Sequence, residues 1–404
     1  MINQTGNTDQ IKQLNTGLVY RIIAQHGPIS RIALSKQSQL APASITKITR
    51  ELMDAHLIQE REFPVLGLRG RPAVGLVIES EGWQFLAIRI EQQHAVISLK
   101  EINAKTLKEQ SYPFDVKGNQ QFSDRLSELI SQFFEENQAD LERVTAISIL
   151  LDGLLDSYSG VIYKLPDYHV HQLAIGEMLT EKTGLPVYLH PPVNALAIAD
   201  HLKYSESRPQ KNIIYLQIQG VVNLVVLNHG YSLDSITRQP ILFAHTQSDS
   251  EQSQSCYCGG KGCLETKVSI SAIVQQAMEL LADYPASILH DKKSIDINAI
   301  SRGAIENDPL SILLLDVAAK RLAYPLAMMI NLFGTELILV NSPLTDEQNY
   351  WLTRLQYFIS LYGNPLYSDK LILEKSTLLI KESETSLIQN ALYDGSLLLQ
   401  LLQG

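Results

Sequence analysis

Cys256, Cys258 and Cys263 are the only cysteines in 404 residues, and all three fall within the segment "SCYCGGKGC". Three thiols cannot all pair, and their crowding argues for a local metal site over a disulfide framework. His245 precedes them by eleven residues, so one imidazole and three thiolates are available for a tetrahedral ion. Four protein ligands leave no open position for a catalytic water, which makes such a metal structural. Gly259, Gly260 and Gly262 allow the chain to bend between ligands. The pairs His169/His171 and His190/His201 lack a comparable thiol or carboxylate grouping and read as surface or loop histidines.

A second group of residues points to nucleic acid. The formal net charge is -10, yet residues 1–80 hold nine Lys/Arg against six Asp/Glu. A positive head on an acidic body meets an anion through the head alone. In "APASITKITRELMD", Pro42 suits the first turn of a helix, and Ile45, Ile48 and Leu52 form one apolar stripe. Ser44, Thr46, Lys47 and Arg50 are left to offer hydroxyls and long cations to base edges and phosphates in a major groove. Downstream, two apolar runs flank the basic tip "GLRGRP", which predicts a β-wing whose Arg69 and Arg71 enter a minor groove.

The elements that must position these groups can be read along the chain. Thr8 or Asp9 is expected to cap a first helix with Ile11, Leu14, Leu18, Ile22 and Ile23 on its inner face, ending at Gly27-Pro28. Ser30 caps a second helix. From Trp83 onward strands alternate with helices: strands at 85–90, 95–99, 144–151, 187–189, 213–218, 224–227 and 337–340, and helices near 120–137, 172–183, 193–203, 269–283, 308–332, 345–361 and 384–402. This is an α/β pattern over ~320 residues, too long for one core, and it implies two lobes. No window approaches 18 uninterrupted apolar residues and the start lacks a signal peptide's basic end and apolar stretch, so a cytoplasmic protein without a membrane span is expected.

The head "GPISRIALSKQSQLAPASITKITRELMDAHLIQE", the wing "GLRGRPAVGL", the cysteine segment "CYCGGKGCLE" and the tail "GSLLLQLLQG" together resemble the Mlc/NagC-type regulators of the ROK family, over essentially the whole chain. The resemblance implies an N-terminal winged helix-turn-helix at 1–80, then a two-lobed, actin-like (ribonuclease-H-like) body related to sugar kinases. Its first lobe would span 81–195, completed by the C-terminal helix 384–404, and its second 196–383 with the metal site. It implies one structural zinc on His245, Cys256, Cys258 and Cys263, a homodimer or tetramer on an inverted-repeat operator in double-stranded DNA, and repression of sugar-uptake genes.

The resemblance also shows where this chain departs from a kinase. ROK kinases place an Asn-Asp pair, the Asp acting as general base, where this sequence has Pro191 and Pro192, and proline cannot accept a proton. The glycine-rich phosphate turn is reduced to Gly220 beside Val221 and Val222, and Leu242 stands where a sugar-binding carboxylate is expected. Gly153, Asn194 and Glu265 are what a residual sugar pocket would retain. The competing account has His245 kept as a metal ligand and Glu265 as a helix start; the joint loss of the sugar acceptors favours it. The leading expectation is therefore a non-catalytic repressor, set against a sugar kinase with altered geometry and a protein-interaction scaffold. A damaged pocket favours a protein inducer, for Mlc-type regulators a phosphotransferase-system sugar permease. The leucine-rich tail is open to lobe packing or to an oligomer or membrane-proximal contact.

Overall fold

The computed structural model describes residues 5–63, 73–79, 81–91, 93–204, 211–228, 231–233, 239–248, 254–345 and 350–403. The chain begins with α1 (Thr5–His26), α2 (Arg31–Ser38) and α3 (Pro42–Asp54), followed by the antiparallel pair β1 (Ile58–Phe63) and β2 (Ala73–Ile78). Ser30 caps α2 by accepting from the Ala33 amide at 3.2 Å, and Pro42 opens α3. A bridge between Ile29 and Leu76 ties the helices to the hairpin, which completes a winged helix. The expected first cap is displaced: α1 is already helical from Thr5, and Ile11 and Leu14 are 52% and 61% exposed instead of inward-facing. The buried face of α1 is Thr16, Gly17, Val19, Tyr20, Ile22 and Ile23, with the expected Ile22 and Ile23 inward. The wing tip with Arg69 and Arg71 lies outside the described residues.

Two five-stranded sheets of the same topology form the body. In the first, β3 (Trp83–Glu91), β4 (His94–Glu101) and β5 (Thr106–Pro113) make an antiparallel meander, and β6 (Arg143–Leu150) and β10 (Val187–His190) extend it in parallel beyond β3. In the second, β11 (Asn212–Ile218), β12 (Val222–Asn228) and β13 (Tyr231–Ser232) form the meander, and β14 (Leu337–Asn341) and β15 (Ile372–Lys375) extend it in parallel. The first sheet packs Leu86, Ile88, Ile97, Ile147 and Leu189 against Phe122, Leu126 and Phe133 of α4 (Gly118–Glu136). The second is covered by the helices Pro309–Phe333 and Tyr350–Tyr362. After α5 (Ile175–Thr183) and β10, α6 (Pro192–Tyr204) lies between the sheets in sequence; its Val193 and Ala197 pack on the second sheet and its Ala195 meets Leu150 of the first.

The sequence reading missed β5, the small sheet β7 (Leu154–Asp156), β8 (Val161–Leu165) and β9 (Val170–Leu173), and β15. These strands are short or polar on their outer faces, and cross-strand pairing, not periodicity, specifies them. The single helix expected at 384–402 is two, Ser386–Tyr393 and Ser396–Gln403, broken at Gly395 with φ +82°. Their Leu387, Ile388, Leu392, Leu397 and Leu398 are buried, so the tail's leucines serve internal packing. Glu384 just before them is 2% exposed and is held by Arg89 and by Lys100, at 2.8 Å.

Candidate metal centre, interlobe cleft and nucleic-acid interface

The four expected ligands converge. The donor atoms of His245, Cys256, Cys258 and Cys263 all lie within 4.8 Å of one another, with His245 Nδ1 3.5 Å from Cys256 Sγ and Cys258 Sγ 3.6 Å from Cys263 Sγ. The 3.5 and 3.6 Å separations match the edge of a tetrahedron with metal–ligand bonds of about 2.0–2.3 Å. His245 closes a short helical turn, Phe243–His245, while the cysteines sit on a loop in which Ser255 bridges Lys261 and Gln247 bridges Cys263. Gly259 adopts φ +97°, and a side chain on Gly260 would stand 3.3 Å from both Cys258 Sγ and Cys263 Sγ. Burial pushes the Cys263 thiol up to about 12 and lowers His245, so without a cation the thiol keeps its proton and the imidazole is neutral. The donor set suits a thiophilic ion that stabilises the thiolates.

The segment after β6 meets the start of β12 between the two halves of the body. Asp152, just beyond β6, accepts from Asn223 Nδ2 of β12 at 3.3 Å, a hydrogen bond between the two halves of the body. Glu265 is 6% exposed, accepts from the Val222 amide at 3.3 Å and from the Tyr257 hydroxyl, and is pushed by burial up to about 7, with Asp152 adding to the rise. Tyr257 lies between two metal ligands and stacks edge-on to His245 at 5.2 Å, so Glu265 joins the metal loop to the β11–β12 turn. Asn194 is buried in the first turn of α6, and Gly153 is packed so closely that a side chain would strike Leu165 at 2.2 Å. Of the residues expected for a residual sugar pocket, Gly153 is thus accounted for by packing and Glu265 by its bonds to the loop and turn. His190 is a partial correction: at the end of β10 the residue is half-buried, but its Nδ1 is buried without a partner, and burial lowers it to about 4.

On the head, α3 buries Ile45, Ile48, Thr49 and Leu52 and leaves Thr46, Lys47 and Arg50 exposed with Ser44 half-buried. Thr46 Oγ1 donates to the Pro42 carbonyl at 2.9 Å. Arg50 has an 80% exposed side chain and a loose contact with Asp54 at 3.9 Å, which is too weak to hold it away from a ligand.

The sequence pattern of the ROK family matches residues 85–364. The chain belongs to the ROK family. It is 37% identical over 405 residues to the DNA-binding transcriptional repressor Mlc of Escherichia coli K12, covering 100% of this chain and 99% of Mlc. The DNA-binding transcriptional dual regulator NagC of the same strain is 30% identical over 403 residues, covering 99% of this chain and 98% of NagC. A solved ROK family transcriptional regulator, described as a homologue of E. coli Mlc, superposes with TM-score 0.86 at 36% identity over 98% of this chain and 100% of its own. The ROK hexokinase of Thermus thermophilus, 20% identical with TM-score 0.57 over 76% of this chain and 99% of its own, shares the fold of the body. The ROK match starts after the head, whereas the two regulators align with head and body together. What sequence reasoning missed in this ROK body is the polar face around Asn223 and the tie from Tyr257 to Glu265. The one legible signal was the unusual asparagine in the valine-rich run "GVVNLVV".

Proposed function

We propose that this protein is a sequence-specific DNA-binding repressor of sugar uptake or utilisation genes, whose kinase-derived body has lost catalysis. The observation that carries the reading is α3: a helix anchored by a buried stripe, presenting Lys47 and Arg50 to solvent on an otherwise acidic protein. Its two full-length relatives are named as DNA-binding regulators, which supports it. Ser44, Thr46, Lys47 and Arg50 read the major groove, and Arg69 and Arg71 read minor-groove width. The metal is zinc, structural and one per chain, as the four donors and their separations favour. Pro191 and Pro192 in place of a general base support the loss of phosphoryl transfer.

Two heads related by a homodimer's two-fold axis require an inverted-repeat operator with half-sites spaced by whole helical turns. An apolar patch supports self-association: Tyr324, Met328 and Leu332 stand 51–72% exposed on one helix beside Tyr357 and Leu361 of the next. The inducing partner is a protein, a phosphotransferase-system sugar permease, in a cytoplasmic setting. Gel-shift selection from genomic DNA tests the core of this reading. Wild type is expected to enrich an inverted repeat, and Lys47→Ala and Arg50→Ala are expected to weaken operator binding, Arg50→Ala also relaxing selectivity at one position by ~1–3 kcal/mol. Equal binding by all three proteins overturns the recognition-helix assignment.

A further inference from the structure

The metal loop holds a chemistry that tetrahedral coordination does not require. Cys258 Sγ and Cys263 Sγ stand 3.6 Å apart, in contact, and a disulfide forms at about 2.05 Å, so closing the pair takes about 1.5 Å of side-chain movement. Gly260 permits that approach, since a β-carbon there would stand 3.3 Å from each sulfur. Access differs among the three thiols. Cys256 and Cys263 are buried, at 8% and 1% exposed, whereas Cys258 is half-buried and its neighbours Gly259, Gly260 and Lys261 are exposed. An oxidant therefore reaches Cys258 first. The Gly260 amide donates to Cys258 Sγ at 3.3 Å, which favours negative charge on that sulfur. Cys256 is held differently: its amide donates to the Gly260 carbonyl at 2.9 Å, its carbonyl accepts from the Gly259 amide at 3.0 Å, and its Sγ stands 3.5 Å from His245 Nδ1. A bond from Cys256 to Cys258 would have to close a small ring around Tyr257 inside a turn whose backbone those hydrogen bonds already fix.

We propose that Cys258 and Cys263 form a reversible oxidation site for a two-electron oxidant of the peroxide class, and that their disulfide expels the metal. The Cys258 sulfur attacks one peroxide oxygen and the O–O bond breaks, giving a sulfenic acid and a hydroxide that takes the thiol's proton and leaves as water. The Cys263 sulfur then attacks the sulfenic sulfur. The S–S bond forms as the S–OH bond breaks, and the departing hydroxide carries off the Cys263 proton as a second water. Where the sulfurs start as thiolates, solvent supplies the two protons. The pair of thiols loses two electrons, the peroxide gains them, and a dithiol reductant reverses the change. The disulfide leaves His245 and Cys256 as half of a tetrahedral set, too few to hold zinc. The inference rests on the metal reading proposed above, because the expelled ion is the one assigned there.

The test takes the full-length protein, assays its metal, treats it with hydrogen peroxide beside a chromogenic zinc chelator, and maps the unreduced peptides by fragmentation mass spectrometry. Trypsin cuts after Lys261, which parts Cys263 from the other two cysteines. A Cys258–Cys263 disulfide within one chain is expected, with one zinc released for every two thiols lost and a lower Tm, and dithiothreitol with zinc is expected to restore both metal and Tm. Cys263→Ser is expected to stop at a sulfenic acid on Cys258, which dimedone traps, and Cys256→Ser is expected still to form the same disulfide. If either variant fails to fold, the wild-type map decides alone. A disulfide containing Cys256, cross-linked chains, zinc retained after the bond has formed, or thiols that survive peroxide sufficient to oxidise glutathione overturns the inference. Protein without metal at the outset that still forms the Cys258–Cys263 bond refutes the metal reading and supports the oxidation site.

Discussion

At the scale of single residues, the candidate metal donors and His190 show opposite ways of handling burial. The thiols of Cys256 and Cys263 are driven towards their protonated forms by burial, and a thiophilic cation reverses this by stabilising the thiolates. Cys258→Ser leaves three donors and an open corner. Elemental analysis is expected to fall well below one zinc per chain and the body to lose ~2 kcal/mol or more in denaturant titration. Wild type without stoichiometric metal would refute the site. His190 has no cation to help it, so burial keeps it neutral, lowered from 6.5 to about 4. The sign follows from linkage: the unfolded chain takes up this proton more readily than the folded one, so its contribution to stability is complete above about pH 6.5 and is lost as pH falls towards 4. Melting temperature followed over that window is expected to fall less steeply in His190→Gln than in wild type.

At the scale of elements, the head is mounted on the body by a backbone crossing. A side chain on Gly395 would stand 2.1 Å from the Gln13 carbonyl oxygen of α1, and one on Gly17 would stand 2.5 Å from the Tyr393 carbonyl oxygen. Gln13 Nε2 donates to the Asp394 carbonyl at 3.2 Å across the same contact. Any β-carbon therefore pushes α1 away from the tail. Gly184 provides the control, because its φ is +71° with nothing within 4 Å of an added methyl group, so Gly184→Ala incurs only the left-handed backbone cost of ~1–2 kcal/mol. Gly395→Ala is expected to destabilise the protein by more than that control and to lower operator affinity, while Gly184→Ala leaves affinity unchanged. Urea denaturation and gel shift on both variants check this, and equal behaviour of the two would show that the crossing does not set the head's position.

At the scale of the whole molecule, two sheets of matching topology form a body that shares its fold with a hexokinase, and the halves meet where Asp152 bonds Asn223. Here Pro191 opens the approach to α6, Val222 commits its amide to Glu265, and Asp152 bonds Asn223 across the gap. ATP-dependent phosphorylation is therefore expected to be absent with every hexose tested, and product above a no-enzyme control in a coupled assay would contradict it. DNA binding is expected to weaken steeply as salt rises, since the net charge of -10 leaves the head alone to displace counterions from phosphate.

Much of this was determined locally. The spacing of Ile45, Ile48 and Leu52 specified α3, and the crowding of three cysteines beside glycines specified the loop that gathers the candidate metal donors, because each depends on neighbours a few residues apart. Other features join residues far apart in the chain, and only tertiary structure could decide them. The tail's leucines became internal packing because Leu397 and Leu398 find a core shared with Val19 and Ile23 of α1. The Nδ1 of His190 lost its partners through the packing around the end of β10, and Gln217 was buried through the register that set it between Asn223 and Asn341. Periodicity states which face of an element is apolar; what lies against that face depends on chain segments that meet only on folding.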